Sequence, residues 1–235
     1  MATVLLVRHG RTSANSGGVL AGWTPGVSLD DTGREQVDRL RARLAQLSIV
    51  RLVASPLQRC QETAQRLVDG HDVRIERDDR LGECHYGAWT GRKISELAKD
   101  PLWRTVQDHP SAATFPDSTD YPAESLRDMQ ARAVAAVREV DAQVERDSGP
   151  HALWIAVSHG DVIKALVADA MGAHLDEFQR VVVGPASLSV IRFTQRRPFV
   201  IRVNDNCGRV DDLIPAKPHD GDATPGGETD AAPED

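Results

Sequence analysis

The sequence predicts a three-layer α/β/α fold with a mostly parallel central sheet and an antiparallel strand at its edge. Two observations carry this. Short apolar runs rich in branched residues alternate with longer segments whose apolar residues recur at helical spacing, the pattern of a parallel sheet with covering helices. Three of those apolar runs end directly in Arg, His or Ser followed by a helical segment, and ligands of open α/β sheets bind at such strand ends.

The first run, Thr3 to Val7, reads as a buried strand and leads into Arg8-His9-Gly10. Packing alone gives no reason for a cation and an imidazole there. The pair suggests a phosphate clamp (Arg8) beside a nucleophile or base (His9), with Gly10 letting the backbone come close to a ligand. A Gly-rich loop, Asn15 to Gly26, follows, then a helix from about Thr32 to Leu47 with Val37, Leu40, Leu44 and Leu47 on one face. The next strand covers Val50 to Ala54 and the next helix Leu57 to Val68. Between them Ser55 is placed as an N-cap, Pro56 as the first helical residue and Gln58 as the partner of a capping box. Arg59 then lies in the first turn, where helix dipole and guanidinium both favour an anion. Its competing role is an ordinary pair with Glu62 on the helix surface.

A short strand near Val73 to Ile75 leads to the loop Leu81 to Gly91, which offers Glu83 amid glycines and aromatics. Residues 92–123, broken by Pro101, Pro110, Pro116 and Pro122, read as a cap-like insertion. A long helix runs from about Glu124 to Arg146, with Leu126, Met129, Ala133, Val137, Val140 and Val144 as its core face. The strand Ala152 to Val157 opens the third junction, Ser158-His159-Gly160, before a helix from about Val162 to Met171. Ser187 to Phe193 and Pro198 to Val203 form an antiparallel pair joined at Gln195-Arg196-Arg197. Residues 1–215 are expected to form one domain. The acidic stretch 216–235 has almost no bulky apolar residues and is expected to be disordered and dispensable.

Charge and composition exclude some classes. The formal charge is −7, but six acids against Lys217 in 216–235 carry −5 of it, leaving the body about −2 and open to an anionic substrate. No basic patch interleaved with aromatics points to nucleic acid. No apolar run approaches the roughly 20 residues of a membrane span, and no signal peptide is visible, so a soluble cytoplasmic protein is expected. Cys60, Cys84 and Cys207 are far apart and read as free thiols. His85, His109 and His151 are isolated, and no metal-ligand spacing occurs near the three junctions. No metal and no cofactor are expected. Together the junctions bring Arg8, His9, Arg59 and His159 to one sheet edge, which points to a single phosphate pocket.

These motifs resemble the histidine phosphatase superfamily, the phosphoglycerate mutase-like family. The residues that carry the resemblance are Arg8-His9-Gly10-Arg11-Thr12 with Asn15, Ser55-Pro56-Leu57-Gln58-Arg59 continuing to Ala64, the Leu81 to Gly91 loop, Glu124-Ser125-Leu126 and Val157-Ser158-His159-Gly160. They fall in the family's order over roughly residues 2–204. The resemblance implies a phosphoglycerate mutase-like fold and a phosphohistidine formed on His9. Arg8, Arg59 and His159 would hold the phosphoryl oxygens, Asn15 would add a hydrogen bond, and Glu83 matches the proton donor. Gly22 and Tyr86 are expected beside the substrate. Arg11, Trp23, His85, Trp89 and the cap are expected to set specificity, while Trp103 and Phe115 are equally placed as packing residues.

Mutases of this family carry an additional stretch with paired arginines between the acid and the Glu-Ser-Leu motif. Here Glu83 and Glu124 are 41 positions apart with no Arg-Arg pair between them, and Ala21 precedes Gly22-Trp23 where mutases place a hydroxyl. The resemblance therefore favours the phosphatase branch: a metal-independent phosphomonoester hydrolase acting on a small phosphorylated metabolite. The alternatives are a phosphoglycerate mutase or phosphomutase, and a non-catalytic phospholigand-binding module. Family members are often dimers, so a homodimer is an expectation.

Overall fold

The computed structural model describes residues 2–70, 73–206 and 223–227. Six strands make one sheet: β1 (Thr3–Arg8), β2 (Ile49–Ala54), β3 (Ile75–Arg77), β4 (Leu153–Ser158), β5 (Leu188–Arg192) and β6 (Phe199–Asp205), in the spatial order β3-β2-β4-β1-β5-β6. The first four are mutually parallel. β5 runs antiparallel to β1, and β6 lies outside it as its hairpin partner. The antiparallel strand is thus one position in from the edge.

Among the described residues seven α-helices accompany them: α1 (Ser13–Ser16), α2 (Asp31–Leu44), α3 (Gln58–Val68), α4 (Ile94–Leu97), α5 (Pro101–Asp108), α6 (Leu126–Ser148) and α7 (Gly160–Met171). The two-residue period of β1 explains the layering. Leu5 and Val7 face a core with Val37 and Leu40 of α2 and Ala64 and Leu67 of α3. Val4 and Leu6 face the opposite core, with Met129, Ala133 and Val137 of α6 and Val162 and Ile163 of α7. Trp154 is fully buried in that second core, where its Nε1 donates to Asp141 Oδ1 at 3.0 Å.

Element bounds follow the sequence expectation to within a few residues, with one informative difference. The α3 helix begins at Gln58, three residues beyond the expected cap, and Leu57 makes no side-chain cap bond. The Ser55 hydroxyl accepts weakly from Leu57 N at 3.3 Å and faces His159 Nε2 at 2.8 Å. A pocket contact, not a helix cap, is what this serine serves. Residues 92–123 pack their apolar side chains inward: Trp103, Val106, Ala113 and Phe115 are buried with Trp89.

The register of the parallel strands places the three junctions together. Arg8 pairs with Ser158 across β1 and β4, and Ala54 pairs with Val157 across β2 and β4. The ladder continues one step beyond the strands, with His9 N donating to Ser158 O (3.0 Å) and Ser55 N donating to Val157 O (2.9 Å). Within the stretch 216–235, residues 223–227 hold a defined conformation against this edge, contrary to the expectation of disorder there. The other residues of that stretch, and Cys207, lie outside the described residues.

Candidate active site

The loops beyond β1, β2 and β4 converge on a narrow pocket lined by His9, Asn15, Gly22, Arg59, Glu83 and Tyr86, with Pro225, Gly226 and Gly227 on one wall. His9 is fixed from both ring nitrogens. Its Nδ1 lies 2.8 Å from Gly10 O, which only a protonated nitrogen can satisfy, and its Nε2 accepts from Arg59 Nε at 3.2 Å. The ring is therefore the neutral tautomer with a lone pair on Nε2. Burial, then the charges of Arg59 and Arg8, hold its pKa well below the ordinary histidine value. A buried, unprotonated and oriented imidazole is what a nitrogen nucleophile requires.

Arg59 ties the pocket together. Besides His9, it donates through Nη2 to Gly22 O (2.8 Å) and to His159 Nδ1 (3.2 Å). The competing surface pair with Glu62 does not form: Glu62 instead accepts from Leu29 N and from Gln58. Because His159 Nδ1 accepts, its proton sits on Nε2 and points at Ser55 Oγ. Burial first, then Arg59, push the pKa of this ring well below the ordinary value as well. His159 is thus a neutral ring. Arg8 is fully buried and donates through Nη1 to Val183 O (2.7 Å) and through Nη2 to Gly226 O (3.1 Å). Asn15 spends its carbonyl on Thr12 N and Oγ1, which leaves its –NH₂ end as the donor group on the pocket wall.

Glu83 closes the constellation. One carboxylate oxygen accepts from Cys84 N at 3.0 Å; the other lies 4.0 Å from His159 Nδ1. Desolvation, reinforced by the nearby Asp161 carboxylate, raises its pKa to about 7 against the opposing pull of Arg59. A carboxyl that still holds its proton near neutrality suits a general acid.

Arg132 on α6 supports Glu83 and was not singled out from sequence. It pairs with Glu124 through two bonds (3.0 and 2.5 Å) and donates to the carbonyls of Arg80, Gly82 and Glu83. Glu124 in turn accepts from His85 N, so this pair braces the Glu83 loop from both sides. One signal was available: Arg132, on α6, follows Glu124, just before the helix cap, by 8 residues. Trp23 adds a further brace, its Nε1 donating to Glu83 O at 2.7 Å while its ring stacks on His85 at 4.5 Å.

Several expected roles are corrected by geometry. Gly10 is required by packing: a Cβ there would meet Gly33 O at 2.7 Å and Val37 Cγ2 at 2.9 Å, so it lets α2 approach β1. Arg11 turns away to pair with Asp30 (2.9 Å) and Thr32 (2.8 Å). Trp89, Trp103 and Phe115 form an aromatic core cluster, the packing half of what was expected for the last two. Gly22 lines the pocket at φ +49°, where a Cβ would strike Thr90 Oγ1 at 2.9 Å. Tyr86 lines it too, but its hydroxyl donates to Asp161 Oδ2 at 2.8 Å. The thiols of Cys60 and Cys84 are buried and free. Burial pushes Cys60 up to about 12 and Cys84 also upward, so neither is a reactive thiolate.

A strand-end histidine flanked by two buried arginines, a second histidine and a carboxyl of raised pKa is the set of groups that phosphoryl transfer to a histidine requires. The chain belongs to the histidine phosphatase superfamily (branch 1), whose family model matches residues 4–206. It is 24% identical over 208 residues to phosphoserine phosphatase 1 of Hydrogenobacter thermophilus, covering 88% of this chain and 94% of that protein. It is 29% identical over 178 residues to glucosyl-3-phosphoglycerate phosphatase of Mycolicibacterium vanbaalenii, covering 74% and 76%. Relatives called phosphoglycerate mutase also match over comparable lengths. Among solved structures, Bacillus stearothermophilus YhfR superposes with a TM-score of 0.77 at 28% identity, covering 87% of this chain and 98% of that one.

Proposed function

We propose that this protein is a metal-independent phosphomonoester hydrolase that works through a phosphohistidine on His9 and acts on a small phosphorylated metabolite. The observation that carries the reading is the state of His9: neutral, its unprotonated Nε2 held by Arg59 Nε on the pocket wall, with Arg8 reaching the same wall through Gly226 O.

The chemistry follows in two displacements. His9 Nε2 attacks phosphorus in line, the Nε2–P bond forms and the ester P–O bond breaks. The Glu83 carboxyl gives its proton to the departing oxygen. Water then attacks phosphorus from the vacated side, Glu83 takes its proton, the P–N bond breaks, and phosphate leaves with the enzyme restored. Charge spreads over the phosphoryl oxygens throughout, so most of the catalysis is positioning and electrostatic stabilisation by Arg8, Arg59 and the Asn15 amide. A phosphate dianion beside His159 raises that ring's proton affinity, so the imidazolium forms with substrate and not before.

Hydrolysis is favoured over mutase chemistry by what lines the acceptor side. Ala21 stands at the pocket wall and supplies no side-chain donor for a second anionic group. Only 41 positions separate Glu83 from Glu124, too few for the additional mutase stretch. The phosphatase names of relatives support the same reading, and phosphoserine and glucosyl-3-phosphoglycerate define the first compounds to try. The free buried thiols fit a cytoplasmic setting, and no described helix is long and apolar enough to cross a membrane. A homodimer is the proposed assembly, testable by sedimentation. Screening phosphate release from sugar phosphates, phosphoglycerates and phosphoamino acids, with product analysis for phosphoryl transfer, tests the reading. Isomerised product without free phosphate would overturn it.

A further inference from the structure

Residues 223–227 lie where a substrate phosphoryl group would enter. The Gly226 carbonyl oxygen sits 3.1 Å from Arg8 Nη2, on a guanidinium donor that a phosphoryl oxygen would otherwise use. The Gly226 amide donates to Asp161 Oδ2 at 2.9 Å. Glycine is what lets the chain come this close. A Cβ on Gly160 would lie 2.4 Å from Gly226 O, and one on Gly227 would lie 2.8 Å from Arg8 Nη1. Gly226 and Gly227 also take φ of +79° and +87°, backbone that side chains disfavour. The segment is pegged at its other end by Gln107 of α5, which donates to Ala223 O (2.9 Å) and accepts from Ala223 N (2.8 Å).

With Pro225, Gly226 and Gly227 forming one wall, the centre of a water-sized sphere can move over only about 20 Å³ of the pocket. That is room for roughly one water, well short of a phosphomonoester. A lid that closes over bound substrate would leave Arg8 facing a roomy cavity. Here a carbonyl dipole occupies the arginine instead.

We propose that Ala223–Gly227 is an inhibitory strap whose Gly226 carbonyl competes with the phosphoryl group for Arg8, so that substrate enters only when the strap lifts from its Gln107 peg. This rests on the phosphatase reading of the pocket. Among the described residues the strap is held to the rest of the protein by the bonds to Arg8, Asp161 and Gln107, so its docked fraction scales the apparent affinity for phosphate.

The test uses the full chain, with Gln107→Ala to remove the peg and Gly226→Val to expel the strap through its left-handed backbone. Gln107 lies outside the pocket, and Gly226 belongs to the strap itself, not to the groups that would hold or attack phosphorus. Loss of two hydrogen bonds shifts the docking equilibrium about tenfold. Inorganic phosphate, measured by calorimetry, should therefore bind both variants roughly threefold to tenfold more tightly than wild type. KM for p-nitrophenyl phosphate should fall in step, with kcat unchanged or raised. In the wild type, added phosphate should speed hydrogen exchange of the Gly226 amide. Weaker phosphate binding in the variants, or exchange slowed by phosphate, would make the segment a lid that completes the site and overturn the proposal. Equal phosphate affinity in all three proteins would overturn it as well. Phosphate that binds none of them would instead overturn the phosphatase reading, and the strap with it.

Discussion

Replacing Glu83 by Gln separates the acid's catalytic role from its structural cost. The carboxyl is 3% exposed, and burial together with Asp161 raises its pKa from 4.5 to about 7. The folded protein therefore holds this proton more tightly than the unfolded chain does. Its stabilising contribution is full below pH 4.5 and is lost as pH rises through 7. One pKa unit is about 1.4 kcal/mol, so the penalty of the ionised, folded form at high pH reaches about 3 kcal/mol at most. Gln is neutral throughout and escapes it. At pH 4, below the pKa of the unfolded chain, the variant and wild type should melt nearly together. At pH 8.5 the variant should melt higher, by up to roughly 6–12 °C for a chain of this size. Activity should move the other way. An alkyl phosphate needs its oxygen protonated on departure, so turnover should fall about 10²–10⁴-fold, whereas p-nitrophenolate leaves unaided and should lose far less. Wild-type turnover of the alkyl phosphate should decline above pH 7. Scanning calorimetry at the two pH values and steady-state kinetics on both substrates decide the matter. A melting difference that is the same at both pH values refutes the raised pKa. Equal losses on the two substrates remove Glu83 from the acid role.

Four further outcomes are expected. His9→Ala should abolish turnover and leave the circular dichroism spectrum and melting unchanged in form; wild type quenched during turnover should carry an acid-labile phosphoryl group, and label on any other residue would exclude the mechanism. Arg132→Ala should strip the brace from the Glu83 loop and strand Glu124, costing about 3 kcal/mol by urea unfolding; it should also lower kcat on alkyl phosphates more than on p-nitrophenyl phosphate, with Arg132→Lys intermediate. Gly82→Ala places a Cβ 2.4 Å from Trp23 Cζ2, so the indole must shift off Glu83 O, and a loss of roughly 1–3 kcal/mol should accompany a red-shifted, more exposed Trp fluorescence. Phosphate release should survive exhaustive chelation and be inhibited by vanadate, which adopts the five-coordinate geometry of transfer to His9; activity restored only by added magnesium or zinc would contradict the role given to Arg8 and Arg59.

Much of this protein was legible in its sequence because its strongest signals are local. Branched apolar runs specify strands, helical spacing of Val37, Leu40 and Leu44 or of Met129, Ala133 and Val137 specifies covering helices, and polar residues at strand ends have no packing reason to be there. From these alone the sheet edge, the layers and the set Arg8, His9, Arg59 and His159 could be named; Glu83, in a loop, was named from the resemblance of its motif to the family's proton donor. What the tertiary structure decided was every feature that depends on two distant segments meeting. Ser55 reads as a helix cap until His159 is brought against it from a strand 104 residues away. The protonation of His9 and His159 is set by how many cations and how little water surround them, which no spacing reveals. Arg132 gains its meaning only when α6 lies under the Glu83 loop. Residues 223–227, Ala-Thr-Pro-Gly-Gly, are small and glycine-rich, with no bulky apolar side chain to bury. They hold their place through backbone hydrogen bonds and close approach at glycine, and hydrophobic patterning has no sign for either.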